Sequence, residues 1–245
     1  MNIIKLNAID STNSYLKKLA TETLIESYTV VVAKFQTAGR GQVGSKWVSE
    51  NGKNLTFSTL INFNNFKAEH QFYLSMAVSL SILNTVKNYV KIPLAIKWPN
   101  DILTAKDKVA GILIENVLSG NIIKYSVIGI GLNVNQKQFP KSIENVTSLK
   151  NIEGIDFNKD KLLKSIITNI KYYIGYIQNE GFLKLKELYL ASLYKYNQPT
   201  MFEDKYGTVF LGKIVDVFED GRLVIELENN TVRKFNLKEV KFANR

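Results

Sequence analysis

Cysteine is absent from the 245 residues, which excludes disulfides, thiolate metal sites and a catalytic thiol. His70 is the single histidine, so neither an imidazole metal cluster nor a histidine-dependent triad is expected. No run of about 18 apolar residues occurs, so no segment is expected to span a membrane. The amino-terminal MNIIKLNAIDST lacks the charged-then-apolar layout of a secretory signal, and a cytoplasmic location is expected. Internal repeats and low-complexity linkers are also missing. Whatever chemistry the chain performs must rest on Lys, Arg, Asn, Asp and backbone dipoles.

What remains is 45% hydrophobic, enough for one good-sized domain plus a small appendage. The formal net charge is +10. A basic surface suits nucleic acid, an acidic protein partner or a phosphorylated substrate. The lysines are scattered and form no block, so the charge is equally a matter of plain composition.

Ile3 to Ile9 reads as a strand. Asp10 and Ser11 are good helix caps, and Tyr15, Leu16, Leu19 and Ala20 follow at helical spacing. Strands are predicted over Tyr28–Phe35 and Leu55–Ile61. His70 to Tyr89 is apolar almost all round, and its length favours a buried helix. Short strands flank Pro99, at Leu94–Trp98 and Asp101–Thr104. Lys106-Asp107-Lys108 reads as a polar turn, followed by a hairpin of Val109–Val117 and Ile122–Val134 around Ser119-Gly120-Asn121. Asn158 caps a helix with the stripe Leu162, Leu163, Ile166, Ile167, Ile170 and Ile174, ending near Tyr176. A shorter helix covers Leu183–Leu193. After Gln198-Pro199 the texture changes to short strands, at Thr208–Leu211, Lys213–Phe218, Arg222–Leu227 and Thr231–Asn236. The sequence thus predicts an α+β domain over 1–197, a mixed, largely antiparallel sheet backed by helices, and a small β-barrel module over 198–245.

Four clusters bear polar groups suited to chemistry. Asp10-Ser11-Thr12-Asn13 taken alone is a helix cap. The loop Phe35–Ser58 reads FQTAGRGQVGSKWVSENGKNLTFS, with Gly39, Gly41, Gly44 and Gly52, Arg40 inside the glycine pair, and Trp47. Glycines let backbone N–H groups approach a ligand, and arginine presents a planar fork to an anion. Such a long connection reads as an anion-binding lid; no helical pattern follows, so it is not a dinucleotide fingerprint. Lys97-Trp98-Pro99-Asn100-Asp101 is by itself a Pro-Asn-Asp turn beside an exposed lysine. Lys108-Val109-Ala110-Gly111 opens an apolar strand. Gly129 and Gly131, in GIGLNVN, suggest close backbone approach or a bulge within a strand.

Together and in this order, DSTN, AGRGxxGxxW, KWPND, KxAGIL and GIGxNVN resemble the biotin protein ligase family over the whole chain, the terminal β module included. The resemblance implies a core like that of class II aminoacyl-tRNA synthetases and lipoate ligases, with an SH3-like terminal barrel. It implies that biotin and ATP, with Mg²⁺, form biotinyl-5′-adenylate and pyrophosphate, and that biotin then passes to a lysine of a biotin carboxyl carrier protein. That first step brings a carboxylate up to an α-phosphate, so cationic and N–H donors must offset the repulsion. Biotin's own carboxylate attacks, which agrees with a chain that lacks cysteine.

On the same resemblance, Ser11, Thr12, Asn13 and Gln36 line the biotin pocket with short hydroxyl and amide groups. Arg40, Gly41 and Gln42 fold over the ligand, and Lys108 meets the biotin carboxylate and adenylate phosphate. Gly39, Arg40, Trp47, Lys97, Asn100 and Asn133 are assigned to ATP, with Trp47 stacking near adenine. Asp101 assists the incoming amine or holds a lysine. Gly111, Ile112 and Leu113 form an apolar channel for the valeryl tail. The catalytic set is Lys108, Arg40, Lys97 and Asp101.

Two departures stand out. Many relatives carry arginines after GRG, where this chain has Gln42, Val43 and Ser45. Some relatives begin with a DNA-binding module, for which a DSTN cluster at residue 10 leaves no room, so no DNA partner is expected. A homodimer paired through the sheet is common in the family. Lipoate attachment is the sister alternative. A nucleic-acid-binding protein is the alternative of another class, and would require aromatics interleaved with clustered Arg and Lys on one sheet face.

Overall fold

The computed structural model describes residues 2–243. The chain order is β1 (Ile3–Ile9), α1 (Thr12–Glu22), β2 (Val30–Gln36), β3 (Leu55–Lys67), α2 (Gln71–Val86), β4 (Leu94–Lys97), β5 (Asp101–Thr104), β6 (Asp107–Ser119), β7 (Ile122–Leu132), α3 (Leu149–Glu153), α4 (Lys159–Gln178) and α5 (Phe182–Ala191). Five strands follow: β8 (Thr200–Asp204), β9 (Val209–Val217), β10 (Leu223–Leu227), β11 (Val232–Phe235) and β12 (Val240–Phe242).

The first seven strands form one sheet in the order β1-β2-β3-β7-β6-β5-β4. The β1–β2 pair is parallel, because α1 crosses between them; the other pairs are antiparallel. Side chains of a strand alternate between faces. Val30, Phe57, Ile61, Ile128 and Ile130 therefore join the core built on α2, α4 and α5. Their neighbours Val31, Leu60, Tyr125 and Val127 point the other way and pack on Leu16 of α1. Helices thus back one whole face, while α1 covers only part of the other. Helix α2 is buried nearly all round, as its unbroken apolar composition requires.

Strands β8 to β12 form a second, five-stranded sheet in the order β11-β10-β9-β8-β12. Phe202, Ile214, Val217 and Leu223 from it belong to the same continuous core as α2 and α5. The β9–β10 turn docks on the first domain. Phe72 N donates to Glu219 O (3.0 Å), Tyr73 Oη to Glu219 Oε1 (3.0 Å) and Trp98 Nε1 to Gly221 O (2.9 Å). Burial, then the Glu219 carboxylate, push the Tyr73 phenol up to about 12, so it remains a donor at every physiological pH.

Three local expectations are corrected. The polar turn lies at Ala105-Lys106, with Ala105 at φ +50°, and Asp107 and Lys108 already pair with Thr104 and Leu103 inside the ladder. Thr208–Leu211 and Lys213–Phe218 are one strand running through Gly212. β8, β12 and the single-turn α3 were not anticipated, being short or without clean alternation. Asn158 does cap α4, accepting from Lys161 N at 3.0 Å.

Candidate active site

The face of the sheet that α1 leaves open carries two rows of residues, set by register. One row runs Ser58–Gly129–Leu113 across β3, β7 and β6. The other runs Thr56–Gly131–Gly111–Asp101–Lys97, reaching β4. Glycine at the centre of both rows lowers the floor. A Cβ on Gly129 would lie 2.4 Å from Asn13 Oδ1, and one on Gly131 would lie 2.3 Å from the Trp47 ring. The indole therefore rests on bare backbone. Its Nε1 is buried without a partner among the described residues.

Above this floor lies a cavity of about 680 Å³, bounded by the start of α1, the glycine loop, β4 to β7 and the terminal module. Its β3 end is neutral and hydrogen-bonding. Ser58 Oγ is 2.7 Å from Thr12 Oγ1 and 2.5 Å from Asn13 Oδ1, and Thr12 Oγ1 is 2.9 Å from Gln36 Oε1. Asn13 Nδ2 donates to Glu115 Oε2 at 2.9 Å, which fixes its oxygen toward Ser58. Two hydroxyl protons serve three close oxygen pairs, so the cluster has an acceptor to spare and suits a ligand N–H. Ser11 occupies the N-cap position, yet its side chain makes no capping bond. Thr12 N donates to Gln36 Oε1 (2.8 Å) instead. The cap reading of the first cluster is corrected accordingly: β2 caps the helix.

The opposite end is cationic. Lys108 Nζ lies 2.7 Å from Asp101 Oδ1, an ionic contact poorly aligned for a hydrogen bond, and 5.7 Å from the Trp47 ring centre. A Cβ on Gly111 would lie 3.0 Å from that ammonium, so the missing side chain admits it. Lys97 Nζ stands 5.6 Å from the Phe242 ring centre of the terminal module, whereas Arg40 stands nearer the Asn13 end, its Nη2 donating at 2.9 Å to the same Glu115 Oε2 that accepts from Asn13. Asn100 Nδ2 donates to Ile112 O (2.7 Å), locking the turn after Pro99.

A sequence profile described as the Biotin/lipoate A/B protein ligase family matches residues 6–133, a little over half the chain. The chain belongs to this family. The bifunctional ligase/repressor BirA of Bacillus subtilis is 28% identical over 237 residues, covering 95% of this chain and 71% of that one. The biotin–[acetyl-CoA-carboxylase] ligase of Mycobacterium tuberculosis is 27% identical over 226 residues, covering 91% and 82%. Among solved structures, the biotin protein ligase from Aquifex aeolicus in complex with biotin and ATP superposes with a TM-score of 0.80 at 29% identity, covering 99% of each chain. The mixed α+β fold with a small terminal β domain is that of these ligases.

Within the family's fold, the structure brings Ser11, Thr12, Asn13, Gln36, Arg40, Gly41, Gln42, Trp47, Lys97, Asn100, Asp101, Lys108 and Gly111 onto one cavity. Gly39 stands behind it, where a Cβ would strike the Trp47 carbonyl at 2.4 Å. Asn133 is the second residue off the wall: it is 2% exposed, and its Nδ2 donates to Thr147 O at 3.0 Å. It ties β7 to the segment that precedes α3. Two residues went unread in the sequence. Ser58 completes the neutral cluster and was identifiable only as an inward hydroxyl in an apolar strand. Glu115, in contact with both Arg40 and Asn13, carried no signal at all.

Proposed function

We infer that this chain is an ATP-dependent biotin protein ligase. The observation that carries the reading is the single floor shared by a neutral, acceptor-rich pocket and by Lys108 with Arg40. The neutral end suits the N–H groups of a ureido ring. Gly111 and Leu113 give a path for the valeryl chain; Ile112, also expected there, alternates to the other face and packs in the helix-side core. That path delivers the carboxylate to Lys108, which also faces the Trp47 ring, where adenine would lie. Lys108 offsets the repulsion as carboxylate oxygen attacks the α-phosphorus and pyrophosphate leaves, and Arg40 would join it once the incoming phosphates draw its guanidinium from Glu115. In the second half-reaction a lysine amine attacks the biotinyl carbonyl and AMP leaves. Asp101 is the carboxylate on the floor that would hold or deprotonate that amine.

Lys97 and Asn100 would orient the phosphates. Mg²⁺ accompanies a triphosphate and takes few protein ligands. No group of three acidic or imidazole side chains suited to an ion occurs among the described residues, so phosphate oxygens and water would supply most of its ligands. We assign residues 1–197 to the catalytic module and 198–245 to the terminal one. The acceptor is a biotin carboxyl carrier protein, as the name of the M. tuberculosis relative suggests, and the reaction belongs in the cytoplasm. No helix among the described residues is long and apolar enough to cross a membrane.

The test is thermal. Biotin with ATP and Mg²⁺, at about 100 times the dissociation constant, adds about 2.7 kcal/mol and raises Tm by roughly 5–10 °C. Lipoate with the same nucleotide leaves Tm within about 1 °C, since its dithiolane ring offers no N–H to the neutral cluster. A shift with lipoate and none with biotin would reassign the chain to the sister activity.

A further inference from the structure

The glycine loop of this chain carries no charge between Arg40 and Lys46, and its tip is internally strained. Arg40 and Lys46 close a small hairpin, with Gly41 N donating to Ser45 O at 2.7 Å. At its tip Val43 takes φ +47° and ψ +52°, a left-handed conformation that its β-branched side chain disfavours. The residue is 58% exposed, so packing does not hold it there. One bond does reach the tip from elsewhere. Lys238 Nζ, from the turn between β11 and β12, donates to Val43 O at 2.6 Å. Among the described residues it is the only hydrogen bond that ties residues 41–46 to anything outside the loop.

The donor is presented by an organised turn. Glu239 Oε2 accepts from Asn236 N (2.8 Å) and Glu239 Oε1 from Lys205 Nζ (3.1 Å), which fixes the backbone on either side of Lys238. The flanking ammonium groups have carboxylate partners, Lys205 with Glu239 and Lys241 with Glu203. Lys238 meets a carbonyl and no carboxylate. The module that carries it is fixed to the sheet domain through Glu219 and Gly221. A strut therefore runs from the first domain through the terminal module to the loop, across the mouth of the cavity.

We propose that Lys238 is a positioning residue: through Val43 O the terminal module holds the glycine loop over the cavity, and so sets how long the acyl-adenylate stays. The proposal rests on the ligase reading above. It gives the terminal module a defined task, and it supplies from outside a restraint that a loop of Gln42, Val43 and Ser45 lacks.

The test uses the full chain with Lys238→Met and Lys238→Arg. In the ligand-free protein, trypsin cleavage after Arg40 and Lys46, followed by mass spectrometry, is about fivefold faster in Lys238→Met and within twofold of wild type in Lys238→Arg, the effect of one charge-assisted bond at an exposed site. Release of labelled biotinyl-5′-adenylate accelerates by the same factor, while KM for ATP and biotin moves less than twofold and the urea midpoint is unchanged. Equal cleavage and equal release in all three proteins would overturn the proposal. A rise in KM for ATP with release unchanged would overturn it too, and would make Lys238 a phosphate contact instead. If wild-type protein makes no adenylate, the ligase reading fails, and the trypsin comparison still decides whether the strut exists.

Discussion

Lys108→Ala lowers the rate of biotinyl-adenylate formation by about 10²–10³-fold, the loss that follows removal of one preorganised charge donor at a developing anion. The lysine reaches the floor because β6 begins at Asp107, one residue before it, and because Gly111 leaves room for its ammonium. With Arg40 engaged by Glu115, no other cation stands beside the Trp47 ring among the described residues. The fold survives the change. Asp101 loses its partner; its side chain is 24% exposed but Oδ1, which faces the ammonium, is buried, so the stability cost is about 1–3 kcal/mol. Biotin-dependent pyrophosphate release measures the rate, and urea unfolding checks the fold. Wild-type pyrophosphate release in this variant would remove Lys108 from the chemistry.

Gly131→Val has a comparably large effect for a steric reason. A Cβ at this position meets two indole carbons of Trp47 at 2.3 Å, closer than real atoms approach. Gly131 sits on a central strand, paired on one side with Thr56 and on the other with Gly111, so the backbone does not yield. Trp47 must lift, and the ring surface beside Lys108 goes with it. The account predicts a fall in kcat/KM for ATP of about 10²-fold, or roughly 2.7 kcal/mol of lost transition-state stabilisation. The accompanying stability loss is about 1–3 kcal/mol, as for other overpacked sites. Steady-state kinetics with ATP varied, beside intrinsic tryptophan fluorescence of the apo protein, reads both. Unchanged nucleotide kinetics would mean that the indole does not define the adenylate site.

Much of this site was legible in the sequence, for identifiable reasons. Glycine inside an apolar strand signals something pressed against the backbone, and Gly129 and Gly131 proved to lie under Asn13 and Trp47. An arginine within a glycine pair drew attention to the loop, and Arg40 does line the cavity, paired with Glu115. Other features were hidden because they arise only when distant segments meet. Ser58 stands 45 residues from Asn13 along the chain, and Lys238 stands 195 from Val43. Glu115 looked like one more polar residue in a long hairpin strand. Asn133, assigned to the nucleotide on its motif, is buried and bonded to Thr147 O in the ligand-free fold.

The fold followed the same logic. Long, strongly periodic elements such as α2 and α4 were readable because burial dictates their patterns. Strand β8 was not, because in Thr200–Asp204 the two buried residues are Phe202 and an aspartate. Asp204 accepts from Tyr206 N (3.0 Å), Thr208 N (3.1 Å) and Arg233 Nη2 (3.3 Å), a tertiary arrangement that no alternation of apolar residues announces. The polar turn expected over Lys106–Lys108 was displaced for a related reason. A lysine at a strand start reads as solvated unless the cavity it faces is known.

The central claim is that neutral acceptors, cations and an indole share one floor so that two mutually repelling anions can react there. Its most direct measurement mixes the pure protein with ATP, Mg²⁺ and labelled biotin, without any acceptor, and quantifies acyl-adenylate and pyrophosphate together. The account predicts about one equivalent of each per protein, and neither when biotin or ATP is withheld. Pyrophosphate released without biotin, or tight biotin binding with no adenylate, would contradict it.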